Sequence, residues 1–361
     1  MLNAKISDVA GAPLVDVVDG YVRLKAEGME IETRPGRVRI LVSLNSTLIP
    51  QWVRDKLTAK DVLVGIGGMC LLDIEVVSAG VVAALLRPGR AGANDADDHI
   101  TLLHRALSGL PEEYQTGHFT DDDPALVTHP ILVRADAAGA THGFVEATVA
   151  ANCDFSIGFP IDQGVRDAML LVQEEDWIQA TETDGSVRDG AWVAELTDLI
   201  PLFAWPQDTR LLMRRERPHP GAQLTLFDTS EGFRHTCFIT NTKGADVCAL
   251  ELRHRGHARV EDRIRNWKDC GLANLPFDPF VRNEAWVTIS LIAGALLAWS
   301  QMVCFEGALA KAEPKTMRYR VLHVAALLVH RSRGLVLRLD KTWPWANDLS
   351  NAFVKLRAAI P

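Results

Sequence analysis

The sequence predicts an α/β fold: a mixed sheet flanked by helices, interrupted by a β-rich insertion and closed by a helical C-terminal part. Three observations carry that reading. Apolar, β-branched runs end in turn or breaker residues at Pro50, at Arg87-Pro88-Gly89 and at Asp136. Helical and extended patterns then alternate up to about residue 160. Residues 160–245 break instead into short alternating runs separated by Asp184-Gly185, Asp189-Gly190 and Glu231-Gly232.

Residues 1–36 are weakly patterned, with turn signals at Gly11-Ala12-Pro13 and Pro35-Gly36. Arg37 to Pro50 (RVRILVSLNSTLIP) reads as a strand rich in Val, Ile, Leu and Thr. Val62 to Ile74, broken by Gly65-Ile66-Gly67-Gly68, and Val76 to Leu86 add two more strands and complete an antiparallel meander. Asn94 or Asp95 can cap a helix whose buried stripe is Ile100, Leu103, Leu107 and Leu110. Pro130 to Ala135 (PILVRA) is a short buried strand that stops at Asp136. Ala137 to Asn152 reads as a helix and Asp154 to Phe159 as a further strand, so the meander leads into parallel strands. Gln223 to Phe227 and Arg234 to Thr240 suit hairpins of an all-β insertion. Helical pattern returns from Val247 to Asp269 and dominates the remainder.

Of the 361 residues, 48% are hydrophobic and 23% charged, which excludes disordered, collagen-like and disulfide-scaffold classes. The net charge of −8 is unevenly placed: residues 1–200 carry −16 and residues 201–361 carry +8. That asymmetry points to a polyanion partner for the second half, against the plainer reading of a solvated basic face. The six cysteines form no CxxC pair, as expected of reduced, mostly buried thiols inside a cell. Met1 to Gly20 carries Lys5, Asp8, Asp16 and Asp19 and has no apolar run, unlike a signal peptide. Val287 to Phe305 is free of charge and long enough to cross a membrane, but Ser290, Ser300 and Gln301 interrupt it. A helix buried in a large soluble core is the expectation.

Asp136 lies where a buried strand gives way to a small-residue turn. Ligands of open α/β sheets bind beyond the carboxyl ends of strands, so a carboxylate there suits a metal; it equally suits a helix cap. Arg253 to Lys268 (RHRGHARVEDRIRNWK) has a buried stripe of Val260, Ile264 and Trp267. A second face carries His254, His257, Glu261, Arg265 and Lys268. One carboxylate among basic groups fits a place where a cation and phosphates meet, or else a solvated, salt-bridged helix. His254, His257 and Glu261 lack the HExxH order of a zinc helix. Arg214, Arg215 and Arg217, before Pro218-His219-Pro220-Gly221, could grip phosphates from a hairpin tip or form an exposed loop. The glycines at 65, 67 and 68 do not follow nucleotide-loop spacing.

At these residues the chain resembles a known family. LRPGRAGANDADDHI (from Leu86), VRADAAGATHGF (from Val133), RPHPGAQL (from Arg217), TNTKG (from Thr240), ELRHRGHARVEDRIRNWKDCGLANLP (from Glu251) and KTWPWA (from Lys341) are similar to bacterial insertion-sequence transposases. The likeness is to DDE domain group 1, the insertion-sequence 1380 family, over about residues 37–350. It implies an RNase H-like catalytic core whose Asp–Asp–Glu triad binds two divalent ions, Mg²⁺ or Mn²⁺, for in-line attack on DNA phosphodiesters. The second aspartate falls on Asp136 and the glutamate on Glu261; Lys268 and the other basic neighbours carry over with it. The family's first strand ends in a pattern like Asp-Val-Asp-Ala-Thr, whereas this chain reads Ser43-Leu44-Asn45-Ser46-Thr47, which places the first catalytic position on Asn45.

The implied organisation is a short N-terminal remnant (1–36), the first part of the core (37–160), a β-rich insertion (161–245) and a glutamate-bearing helix with a helical C-terminal part (246–361). Family members carry a longer front region, so a shortened copy is expected. The implied partner is double-stranded DNA, both element ends and target, bound by a homo-oligomer. The resemblance implies no membrane partner and a setting in the bacterial cytoplasm and nucleoid. The alternative is a non-catalytic DNA-binding remnant or regulator; a third reading is a host nuclease on the same fold.

Overall fold

The computed structural model describes residues 15–18, 21–26, 29–31, 40–47, 62–72, 80–88, 95–110, 112–218, 229–230, 232–256, 264–331 and 334–359. Strands β1 (Val15–Val18), β2 (Tyr21–Ala26) and β3 (Met29–Ile31) pair antiparallel as a small separate sheet. The meander follows as β4 (Ile40–Thr47), β5 (Val62–Leu72) and β6 (Gly80–Pro88), antiparallel throughout. The glycines at 65, 67 and 68 do not interrupt β5; the irregularity lies in its pairing with β4, where the register shifts between Leu41 and Leu44.

Helix α1 (Ala96–Ser108) starts where Asp95 accepts a hydrogen bond from the Asp98 N–H, with Asp97 and Asp98 in the first turn and Arg105 in the last. Both charge placements favour the helix dipole. Leu103 and Leu107 of the expected stripe are fully buried. Strands β7 (Ile131–Ala135) and β8 (Asp154–Phe159) run parallel to β4. A parallel pair needs a crossover, and helix α2 (His142–Ala150) supplies it. The helix expected over Ala137 to Asn152 is therefore divided: a 3-10 turn at Ala137–Gly139 comes first, and α2 begins after Thr141. Asp136 is the cause, because its side chain caps the turn instead of the helix. Every residue of β7 is buried, as befits a central strand covered on both faces.

Helix α3 (Gln163–Met169) then leads into β9 (Ile178–Thr181), β10 (Val187–Glu195), β11 (Arg210–Glu216), β12 (Thr229–Ser230) and β13 (Phe233–Thr240). These strands continue the same sheet, because β13 pairs antiparallel with β8 from Cys237↔Phe159 to Thr240↔Ser156. Among the described residues the sheet has ten strands in the order β6-β5-β4-β7-β8-β13-β11-β10-β9, with β12 beside β13. The expected hairpin at Gln223 to Phe227 lies outside the described residues. The main core packs α1 and α2 on one face through Leu103, Phe144, Val133, Phe155 and Ile157. A second cluster packs Leu250 of helix α4 (Val247–Arg255) against Val193, Leu212 and Phe238.

Beyond a π-helical turn at Lys268–Leu272 comes α5 (Phe280–Cys304). The C-terminal part is not purely helical: β14 (Ala326–Arg331) and β15 (Gly334–Leu339) form a two-stranded hairpin before α6 (Ala346–Ala359). Helix α5 also departs from the buried helix expected there. By length and composition it could cross a membrane, yet only 28% of its most apolar stretch is buried. One face packs through Asn283, Val287, Ser290, Leu291 and Gln301, while Ile289 and Leu296 are more than half exposed. A helix that meets its neighbours along one stripe leaves its remaining apolar residues uncovered.

The stripe depends on Gly294. A Cβ there would lie 2.0 Å from Cδ1 of Trp267, a fully buried ring set against the helix backbone. Gly294→Ala is expected to displace Trp267 and destabilise the fold by about 1–3 kcal/mol, seen as a lower urea midpoint and a red-shifted tryptophan emission. An unchanged midpoint would contradict this packing.

Candidate functional site

The parallel strands end on one edge of the sheet. The β4–β7 register runs as far as Leu44↔Ala135, so the residues that follow, Asn45 in β4 and Asp136 just after β7, come at the same edge of the sheet. Asn45 is paired on its other side with Ile66 of β5. Asp136 is exposed at the mouth of this edge, and its Oδ1 accepts the Ala138 N–H at 3.0 Å. Capping and an exposed carboxylate thus coexist at Asp136.

Gly158 of β8 closes the underside of the Asp136 turn. A Cβ at Gly158 would meet the Ala137 nitrogen at 2.9 Å and the Asp136 carbonyl carbon at 3.1 Å, so only glycine lets that backbone come so close.

Arg134, two residues before Asp136, is 1% exposed on the opposite face of β7 from the main core, and its Nη1 donates to the Arg253 carbonyl at 3.2 Å. That contact fastens the C-terminal end of α4 over the sheet near the edge bearing Asp136. The favourable pairing of a cation with a helix C-terminus adds to it. His254 stacks on Phe238, with ring centroids 4.2 Å apart, and its Nδ1 lies 2.9 Å from Ser156 Oγ. Arg253 donates to Thr242 at 2.9 Å and to Thr240 at 3.3 Å. Arg253 and His254, expected on a phosphate-facing surface, therefore engage the sheet of their own chain.

A closed ring of alternating charge locks the C-terminal half of α4. Glu251, whose side chain is 2% exposed, accepts from Arg214 at 2.8 Å and from Arg255 at 3.1 Å. Arg255 reaches Glu182 at 3.0 Å, Glu182 holds Arg188 at 2.9 Å, and Arg188 approaches Glu216 at 3.5 Å. Glu216 returns to Arg214 at 3.0 Å. Three guanidiniums and three carboxylates thus join β10, β11, α4 and the residue just after β9. The hydrogen bond from Arg255, with the charges of Arg255 and Arg188, holds the Glu182 carboxyl below the usual range.

Arg215 points to the opposite face of β11. It pairs with Glu174, and its Cζ lies 4.3 Å from the Trp177 ring and 5.2 Å from that of Trp192. Arg217 follows β11, 6.0 Å from Trp192. Arg214 and Arg215 are therefore strand residues engaged within the chain, not a hairpin tip. Arg265 lies 3.6 Å from Glu313 on the surface, and Lys268 begins the π-helical turn. His257 and Glu261 lie outside the described residues.

Among the described residues, no group of three His, Cys, Asp or Glu side chains is gathered closely enough to hold a metal ion. The exposed Asp136 carboxylate at the strand edge is nevertheless a donor of the hard type that magnesium and manganese take. A cleft of about 390 Å³, lined by Pro130, Ile131, Cys153, Asp154 and Asn241 among others, opens at the opposite end of β7 and β8. Burial pushes the Cys153 thiol beside it up to about 12, so it stays protonated and unreactive.

Gly158, Arg134 and Glu251 escaped the sequence reading. Arg134 had a signal, as the one charge in an apolar buried strand, which requires a buried partner. Glu251 stands four residues before Arg255, a helical ion-pair spacing. Nothing local marks Gly158.

A family profile described as "Transposase DDE domain group 1" matches residues 74–360. The matched span includes Asp136 and Glu261 and begins beyond Asn45. No curated protein matches the chain.

Two outcomes follow from the ion pairs. Glu251→Gln leaves Arg214 and Arg255 facing a neutral amide, and is expected to cost about 3–5 kcal/mol in urea unfolding; a loss below about 1 kcal/mol would mean the ring holds nothing together. Glu195 is kept below its usual range by its hydrogen bond from Arg210. A depressed carboxylate stabilises the fold above its ordinary range and ceases to do so as pH falls through its folded value. The stability gap between the native chain and Glu195→Gln should therefore be full at pH 7 and close on acidification below about pH 4.5, followed by urea midpoints across that range.

Proposed function

The chain belongs to the transposase DDE domain group 1 family, and from that membership we propose that it acts on DNA as the strand-cleaving and strand-joining protein of an insertion sequence. The observation that carries this reading is the parallel β4–β7 register, which ends at Leu44↔Ala135 just before Asn45 and Asp136, together with the anchoring of Arg253 to Arg134. The order β6-β5-β4-β7-β8, three antiparallel strands followed by two parallel to the first, supports an RNase H-like core, with β9 to β13 as its insertion. The chain leaves α4 at Gly256 close to that edge, and five residues further on comes Glu261.

In this reading Asp136 and Glu261 hold divalent magnesium or manganese, two ions in the full arrangement. These would lower the pKa of the attacking oxygen and neutralise charge building on the phosphodiester. Asp136 is oriented for such a role by the Ala138 N–H, which fixes one carboxylate oxygen. Asn45 supplies a neutral oxygen where the family has a carboxylate, so the site lacks one negative charge and its chemistry is slowed. His257, Arg265 and Lys268 are the basic groups beside Glu261 proposed to contact the DNA backbone. DNA is the substrate class, double-stranded element ends and target, handled by more than one copy of the chain.

Asn45 also favours a second reading, a regulator that occupies element ends without cutting them. A plasmid carrying candidate element ends, incubated with the full chain and Mn²⁺, separates the two. The transposase reading expects slow nicking at those ends that Asp136→Ala abolishes. It also expects Asn45→Asp to raise the rate by about 10–100-fold, the scale on which changes around a metal site act. Binding without nicking, in a folded Asn45→Asp variant as well, would establish the regulator instead.

A further inference from the structure

We propose that the surface built by Arg318–Leu322 and the loop Asp340 to Trp345 binds single-stranded DNA, with Tyr319 as the ring on which an unpaired base stacks. The choice of DNA as the polymer rests on the function proposed above; the site itself rests on the following geometry. Tyr319 stands 5.6 Å from Trp343 and 5.9 Å from Trp345, and those two rings are 5.5 Å apart, all edge to face. Trp343 and Trp345 are partly buried, whereas Tyr319 is 54% exposed. The two tryptophans thus brace a ring that water still reaches.

The brace is rigid for a surface loop. Trp343 donates its indole N–H to the Arg320 carbonyl at 2.8 Å, and the Arg320 guanidinium lies 4.9 Å over the Trp345 ring. Asp340 ties the loop to itself by accepting from the Thr342 N–H at 2.9 Å and the Thr342 hydroxyl at 2.7 Å, and its own N–H reaches the Ala325 carbonyl. Those bonds keep Asp340 ionised, so the neighbouring cations must outweigh one negative charge at the loop.

Charge and ring chemistry select the occupant. Residues 306–345 contain eight Lys and Arg against three acidic residues, and Arg318 and Lys341, adjacent in sequence to Tyr319 and to the Thr342-Trp343 pair, are exposed, as is Arg338 of β15. Exposed cations suit any polyanion. An exposed aromatic face adds a preference for bases whose own faces are open, which a duplex hides in its stack. An acidic peptide would use the cations and leave Tyr319 idle. DNA strands opened at an element end present the required unpaired bases.

The test uses the full chain in EDTA, so that no cleavage enters the measurement. Binding of a labelled 20-nucleotide mixed-sequence single strand is followed by fluorescence anisotropy, with the matching duplex and poly-glutamate as competitors. Tyr319→Ala is expected to weaken single-strand binding by about 5- to 100-fold, and Tyr319→Phe, which keeps the ring, to preserve it. Duplex affinity should change less than about two-fold, because stacking on an exposed ring contributes only to unpaired bases. Arg318→Ala and Lys341→Ala should each lower the slope of log affinity against log salt by about 0.7.

Equal single-strand binding by the native chain and a folded Tyr319→Ala would overturn the proposal, as would displacement by duplex or poly-glutamate as readily as by the unlabelled strand. Should Tyr319→Ala fail to fold, the slopes of the two exposed cation variants decide: no change in either rejects the site. Single-strand binding that survives while metal-dependent nicking is absent would count against the proposed transposase activity and leave this site standing.

Discussion

Parallel pairing of β4, β7 and β8 is the constraint from which the rest of the molecule follows. Strands that run the same way bring their carboxyl ends to one edge, and the register through Leu44↔Ala135 brings Asn45 and Asp136 to that edge together. Antiparallel neighbours would have sent those residues to opposite edges. The same arrangement demands a crossover between β7 and β8, hence the Asp136 turn and α2, and it buries β7 on both faces. Burial in turn forces Arg134 to find a partner within the fold. It finds the Arg253 carbonyl, which draws the end of α4 to that edge.

Charge in this protein is used first for internal fastening. The excess of Lys and Arg in the second half suggests a basic surface, yet Arg214, Arg215, Arg253 and Arg255 all bind groups of their own chain. The ring through Glu251 and Glu182 joins strands far apart in sequence to a single helix. A ring of this kind resists change asymmetrically: complete, it pairs every charge with an opposite one, but one missing partner leaves a charge without its counterpart. Other cations stay open to solvent, among them Lys243, Arg265, Arg318, Arg338 and Lys341.

Local patterns in the sequence revealed much of the architecture. The apolar runs of β4, β5 and β7 announced strands, and the Asp95 cap and the spacing of Leu103 and Leu107 announced α1. Asp136 was legible because a lone acidic residue ends an apolar strand. The division after Asp136 was not, since turn and helix share the same small residues and only the cap decides between them. The hairpin β14–β15 was hidden in an apolar stretch that suits helix or strand equally. The exposed flank of α5 was hidden too, because an apolar sequence states a preference for burial without naming what will provide it.

By itself, the sequence determined the core strands around β4, β5 and β7, helix α1, and where Asp136 stands relative to its strand. Tertiary structure alone decided that β13 pairs with β8, making the insertion and the core one sheet. It alone decided that Arg214 and Glu251 meet, and that Gly158 must lack a side chain beneath Asp136. The physical reason is range. Propensity, capping and periodicity act over a few neighbouring residues, whereas strand pairing, ion pairs and close backbone approach join positions tens of residues apart, and their geometry exists only once the chain has packed.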